Sequence, residues 1–479
     1  MSFFDFDDEF DDDFENMEEQ LHYYLSNLRS SRKSSDNIPP FEALESLVEY
    51  CISTDRLKEA LEFCDLWIEL IPNSSDAYNK KAFILSNLDM NDDALEYVEK
   101  ALSYNPLDPD AILNKAMILE QSGDPKAALK HIETILMLDP TNEDALFQKA
   151  MVLQSLGIFN DSIQILEYLK DSEYYGAEVM QEIAYCYNCM NDFDKSVIYF
   201  NKAIDQSPYD EHLWYNLGVI YNSKRMYHQA IESYDMALAI NEDFFSAWYN
   251  KANSFASIGR LTDAIECFKE ALRIVPDDVD TMHNLASVYG DNNQYISAID
   301  HFSKALELDP ENFESYFGRG ICYDAIEKFD SAMQDYDKVL ATFPNYSEVL
   351  YAKADLLFNM GKINQSVQFY KDSFESDNSN TEALLDCASA YYELNDFDNA
   401  LDLITQFIKL EPDTVEGFYL KAKILANCGL LKDSQKELVL AFRLDKLKLY
   451  QYLSEFPEIV ENFEKFNSQI LKQVFNTNL

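Results

Sequence analysis

Glycine and proline are scarce, 11 and 13 among 479 residues, and no cluster of Gly, Pro or Ser is long enough to serve as a flexible linker. A chain this long would ordinarily divide into several globular domains, because single cores stop growing well before that length. A repeat array is the usual exception, and the shortage of linker residues favours it. Basic residues are also few: 38 Lys and Arg face 86 Asp and Glu, a formal charge of −48. That sign repels phosphate backbones and anionic bilayers, so neither nucleic acid nor membrane is an expected partner. The first nineteen residues hold ten acids and no Lys or Arg, yet the imbalance persists beyond them, so a protein or peptide partner of basic character is expected. Long apolar runs are absent, and Met1-Ser2-Phe3-Phe4-Asp5 offers neither a basic leader nor an apolar stretch, which leads us to expect a cytoplasmic protein.

Cysteine is present but unorganised. Cys51, Cys64, Cys186, Cys189, Cys267, Cys322, Cys387 and Cys428 show no disulfide-framework spacing and are expected to be reduced. Cys186-x-x-Cys189 could ligate zinc, but no second Cys or His pair accompanies it, and other cysteines sit in columns otherwise filled by Leu, Ile, Phe or Tyr. Cysteine is therefore expected to act as a small hydrophobe. The six histidines lack metal-ligand spacing, and no P-loop, nucleophile elbow or His-Glu-x-x-His occurs. Neither a catalytic centre nor a cofactor nor a metal is expected.

What the sequence does have is a register. Pro72, Pro106, Pro140, Pro208, Pro276, Pro310, Pro344 and Pro412 are separated by 34 or 68 residues. Twelve residues before each slot stands a tiny residue, as in Ala60, Ala94, Ser196, Ala230, Ala264 and Ser434. Twenty-four before it stands Ala or Gly in all units but one, as in Ala82, Gly218, Ala252, Ala286 and Gly320, the exception being Val48. Bulky residues such as Trp214, Leu217 and Tyr221 recur around them at helical spacings of 3 and 4. Two small columns among large ones are what helical hairpins need, because close helix crossings require Ala or Gly. Gly259-Arg260 and Gly361-Lys362 are expected to turn each hairpin, and Pro to end its second helix.

These columns resemble the tetratricopeptide repeat: Trp214-Leu217-Gly218-Tyr221-Ala230-Tyr234-Ala237 matches its pattern of large and small residues. The resemblance implies an all-α fold, a right-handed superhelical solenoid of about twelve helical hairpins. Such hairpins bury their apolar faces only by stacking, and terminal units need caps. The expected organisation is an acidic disordered arm over 1–16, an N-terminal helix and linker over 17–40, twelve repeats over 41–448 and a C-terminal capping helix over 449–479. Met17, Leu21, Tyr24 and Leu28 form a stripe at one end, and Ile459, Phe463, Phe466 and Ile470 at the other.

Resemblance to this family also implies a non-enzymatic scaffold or adaptor whose first helices line a concave, peptide-binding groove. Residues two places before the first small column face a ligand there, among them Asn114, Asn216, Asn250 and Asn284. An Asn amide donates and accepts together, which suits it to a partner's main chain, and similar asparagine ladders hold peptides in sugar-transferring members of the family. Tyr215 and Tyr249 would add apolar area and a hydroxyl, and Asn253, His283 and Ser287 share the predicted face. The Lys–Asn carboxylate clamp of the family has no counterpart here. Two further columns have packing explanations. Lys81, Lys115, Lys149, Lys251, Arg319, Lys353 and Lys421 are expected to lay their stems between units and snorkel toward acids. Acids from Glu42 and Asp76 through Glu416 are expected to serve helix N-termini, a role compatible with lining an acidic groove. The other functional reading is a structural subunit of a fixed assembly, through self-association or convex-face contacts.

Overall fold

The computed structural model describes residues 17–26, 39–172 and 175–455, and among these every element is a helix or the turn joining two helices, with no strand. The arm over 1–16, Leu28, and the stripe of Ile459, Phe463, Phe466 and Ile470 lie outside the described residues.

Local chemistry sets the alternation of helices. First helices run for about thirteen residues, as in Phe245–Ser257, and second helices for fourteen, as in Leu261–Ile274. Between them the chain closes a Schellman turn: the Gly259 N–H donates to Ala256 O at 3.0 Å and the Arg260 N–H to Phe255 O at 2.9 Å, satisfying carbonyls the helix leaves open. The residue at this turn has positive φ at Asp55, Asp89, Gly123, Gly157, Asn191, Arg225, Gly259, Asn293, Glu327, Gly361, Asn395 and Gly429. That is one left-handed residue every 34 positions, filled by Gly in five cases and Asp or Asn in five more. Several first helices begin on side-chain caps: Ser74, Asn142, Asp278 and Asn312 accept from the backbone N–H groups of Ala77, Ala145, Thr281 and Ser315. In these helices capping falls to the residue just before the first turn, while acids such as Asp76 and Asp280 occupy that turn and interact with its dipole.

The chain forms two compact units, Met1–Lys224 and Arg225–Leu479. In the first, Ala60, Ala94, Ala128, Ser162 and Ser196 are fully buried at the close crossings, while Phe63, Trp67 and Phe200 fill the space around them. Its N-terminal helix, residues 17–26, lays Leu21 and Leu25 on Leu44, Leu47 and Val48, and Glu18 there accepts from Arg56 at 2.8 Å and Tyr50 at 2.9 Å. Met17 and Tyr24 of the expected stripe are only partly buried beside them.

In the second unit Ala230, Ala264, Ala298, Ala332, Ser366 and Ala400 are likewise fully buried. Large and small side chains alternate: a Cβ on Gly320 would sit 2.5 Å from Tyr336, one on Gly318 2.5 Å from Phe302, and one on Gly417 2.8 Å from Phe407. The last described helix of the unit is Lys446–Glu455, whose Leu449 and Leu453 pack against Val415, Tyr419 and Leu438. Its start is capped by Asp445, whose carboxylate accepts from the N–H groups of Leu447 and Lys448 at 2.8 and 3.0 Å.

Candidate functional site

Polar residues on the first helices divide into those consumed by packing and those left on an open face. The basic column is consumed. Lys115 reaches Glu99 at 3.1 Å, Lys149 reaches Glu133 at 3.7 Å, Lys251 reaches Asp235 at 2.6 Å and Lys421 reaches Glu437 at 2.9 Å. Lys81 pairs with Asp65 and Lys353 with Asp337, and Arg319 makes a forked contact to Asp335 at 2.8 and 2.7 Å. Every partner lies sixteen residues away on a second helix, and the stems are largely covered, as the snorkelling argument requires.

Most of the cysteines are consumed too. All eight are free, and six are buried. Burial pushes the thiols of Cys51, Cys64 and Cys387 up to about 12 and those of Cys186, Cys267 and Cys322 up to about 11. A thiol so far from ionising is neither nucleophile nor metal ligand at neutral pH. No group of three or more His, Cys, Asp or Glu fit to hold a metal occurs among the described residues.

Tyr215 and Asn216 are half-buried on Glu211–Ser223 in the first unit. Tyr249, Asn250 and Asn253 are half-buried on Phe245–Ser257, and His283, Asn284 and Ser287 on Val279–Asp291, in the second. Two of these residues meet: the Asn284 Nδ2 donates to the Tyr249 hydroxyl at 2.8 Å. Tyr249 also stacks on Phe245, centroids 6.1 Å apart, and meets the edge of Phe268 at 5.9 Å. His283 looks to the following helix, its Nδ1 lying 2.8 Å from Ser315 Oγ, and its carbonyl accepts from Ser287 Oγ at 3.0 Å. Burial holds the imidazole below its usual pKa, against the pull of Glu314 and Asp280, which keeps it neutral at neutral pH.

The Asn284–Tyr249 bond is an instance of a recurrent seam that spacing by 34 does not reveal. Asn114 donates to Asn79 O at 3.1 Å and Oδ1 at 2.8 Å, and the Tyr351 hydroxyl donates to Asp386 at 2.5 Å, each pair 35 residues apart like Tyr249 and Asn284. A second seam lies further along, where Ser86 donates to Gln121 and Asn427 to Tyr392, again across 35 residues. The asparagine column therefore helps tie successive first helices together. Searching for polar pairs one residue beyond the repeat length would have found it.

Sequence reasoning singled out Glu314, Glu348 and Glu382 in the acidic column but not Asp324, Asp355 and Asp386, which lie near them on the helices Phe313–Ala325, Ser347–Asn359 and Glu382–Glu393. The Asp355 carboxyl accepts from Tyr370 at 2.5 Å. Burial, reinforced by Asp386, Asp324 and Glu382, pushes it up to about 6 against that hydrogen bond. Burial also raises Asp324 and Asp386.

Tetratricopeptide repeat models match residues 89–151, 177–210, 213–244, 243–311, 291–356, 347–380 and 385–434. Together these stretches account for most of the sequence, and the chain belongs to the tetratricopeptide repeat (TPR) family. A TPR repeat-containing protein of Methanocaldococcus jannaschii is 28% identical over 114 residues, 24% of this chain and only 18% of that relative. Among solved structures, yeast Tom70 superposes with a TM-score of 0.41 at 16% identity, covering 92% of this chain and 99% of Tom70. YrrB, a TPR protein with an unusual peptide-binding site, gives 0.35 at 21% identity, covering 39% and 95%. No helix among the described residues is long and apolar enough to cross a membrane.

Proposed function

We propose that the chain is a non-enzymatic adaptor that holds a protein partner on the face built from its first helices. Carrying this reading is the family's hairpin stack, in which basic residues and most cysteines are spent on packing while half-buried Tyr, Asn and His remain on that face. The proposed contacts are Tyr249, Asn250, Asn253, His283, Asn284 and Ser287, with Tyr215 and Asn216 in the same columns of the first unit. We further propose the organisation set out from the sequence: an arm over 1–16, a helix and linker over 17–40, repeats over 41–448 and a cap over 449–479. The net charge of −48 favours a basic partner over nucleic acid or membrane, and a cytoplasmic setting fits free thiols.

Replacing Asn216, Asn250 and Asn284 by Ala should weaken binding of a captured partner by about tenfold or more, since each lost hydrogen bond is worth roughly 0.5–1.5 kcal/mol. Asn284→Ala also removes the bond to Tyr249, so thermal unfolding of the triple variant is the control for lost packing. Unchanged binding in a triple variant that folds normally would mean that the interface lies elsewhere.

One observation favours the assembly reading. In the first unit Leu107, Met137, Leu138 and Tyr168 are 60–82% exposed near the ends of second helices, and exposed apolar groups suit self-association. Sedimentation as a monomer at all concentrations would remove this alternative.

A further inference from the structure

Phe313 and Phe343 meet edge to face, centroids 5.1 Å apart, and with Pro344 and Tyr346 they wall an open hollow of about 680 Å³. Phe343 leaves 47% of its surface in solvent. Tyr346 in this wall lies 6.1 Å, centroid to centroid, from Phe317, which with Ile321 and Tyr351 walls a second hollow of about 570 Å³. Ile321 is 46% exposed there. Exposed apolar area on this scale is a poor solvent surface and a good contact surface.

Charge selects the occupant. Glu314 borders the first hollow, and Asp324, Glu348, Asp355 and Glu382 border the second, whereas no Lys, Arg or His lines either. The nearest cations on the same helices, Arg319 and Lys353, are committed to Asp335 and Asp337 on Phe329–Thr342. Asp355 and Asp386 accept from Tyr370 and Tyr351 and are partly buried, so their mutual repulsion is poorly screened. An ammonium or guanidinium brought in beside them would relieve that repulsion, while an anion would meet it.

We infer that these adjoining hollows, on the second unit's helices Phe313–Ala325, Ser347–Asn359 and Glu382–Glu393, dock a short protein segment that carries an aromatic or aliphatic side chain beside Lys or Arg. The side chain fills the space between Phe313, Phe343 and Tyr346, and the cation lies against Asp355 and Glu382. This surface is separate from the tyrosine and asparagine positions of Phe245–Ser257 and Val279–Asp291, and the inference rests on the protein-binding reading above.

The test is fluorescence anisotropy on the full chain with a labelled peptide of Lys, Phe and Gly, against two controls in which Glu replaces Lys or Ser replaces Phe. The expected result is binding of the first peptide and loss of binding by both controls. Combining Glu348→Gln, Asp355→Asn and Glu382→Gln should weaken binding at least about tenfold, and Phe343→Ser should weaken it comparably. Asp92→Asn, Asp93→Asn and Asp205→Asn change the net charge equally on exposed positions of the first unit and should leave it within about twofold. Thermal unfolding of each variant separates lost contact from lost fold. Equal weakening by the two triple variants, or retention of the Ser-for-Phe peptide, would reduce the site to general attraction by an acidic protein and overturn the inference. Failure of the Lys–Phe peptide to bind a chain that still holds a captured partner would overturn it and leave the adaptor reading standing.

Discussion

Gly361 and Glu327 occupy the same place in successive hairpins, the left-handed residue of the turn, with φ of 74° and 59°. A side chain there costs roughly 1–2 kcal/mol through crowding of Cβ against the following carbonyl. Nothing lies within 4 Å of a Cβ built on Gly361, so Gly361→Ala isolates backbone strain and should destabilise by about 1 kcal/mol. Glu327→Gly should stabilise by roughly 0.5 kcal/mol, the relief being partly offset by a more flexible unfolded chain. Urea unfolding of the two variants checks both signs. The turn at Gly361-Lys362 was legible because Gly marks it, whereas nothing in the side chain of Glu327 announces a left-handed residue; only the 34-residue register does.

Asp355 gives a residue-scale prediction with a defined pH window. Its folded pKa is raised from the ordinary 3.8 to about 6, so between those values the folded state binds more protons than the unfolded state. Stability contributed by this group therefore rises as pH falls from about 7 through 6 toward 4. Asp355→Asn should raise the melting temperature at pH 7 and flatten its rise toward pH 5. A steeper rise in the variant would contradict the burial argument. The lone acid was visible in the sequence, but its partners were not, since Tyr370, Asp386 and Asp324 converge on it only after the hairpins stack.

At the scale of elements, each helix depends on a neighbour to cover its apolar stripe, and the ends show this most plainly. The helix Lys446–Glu455 contributes Leu449 and Leu453, both nearly inaccessible, to the core of the final hairpin. Leu453→Ala should cost roughly 2–4 kcal/mol through lost burial and a residual cavity, measured by denaturant unfolding. Between elements the limiting feature is closeness. Ala230→Leu, at a fully buried crossing, and Gly320→Ala, whose Cβ would meet Tyr336 at 2.5 Å, should each destabilise by roughly 1–3 kcal/mol.

The small columns at Ala230 and Ala252, and the outward turn of Lys251 toward an acid, were readable because identical geometry recurs every 34 residues and selects the same residue size each time. The seam between Tyr249 and Asn284 was not, since its partners differ in type from seam to seam: Asn with Asn, Tyr with Asn, Tyr with Asp. Hydrogen bonding constrains donor and acceptor, and many pairs satisfy it, whereas a close crossing admits only the smallest residues.

For the whole molecule, the charge of −48 makes association with a basic partner sensitive to ionic strength, because screening acts over roughly 8–10 Å near physiological salt. Affinity should fall as salt rises from low to physiological levels, and salt-independent binding would assign the interface to apolar contacts. The central claim is that first helices, not second helices, meet the partner. Site-specific photo-cross-linking tests it most directly: a cross-linking side chain is placed at Tyr249 or Ile321 on first helices, and at Glu266 or Ile296 on exposed faces of second helices. Adducts with a captured partner from the first pair and none from the second is the predicted result; adducts from Glu266 and Ile296 alone would contradict the claim.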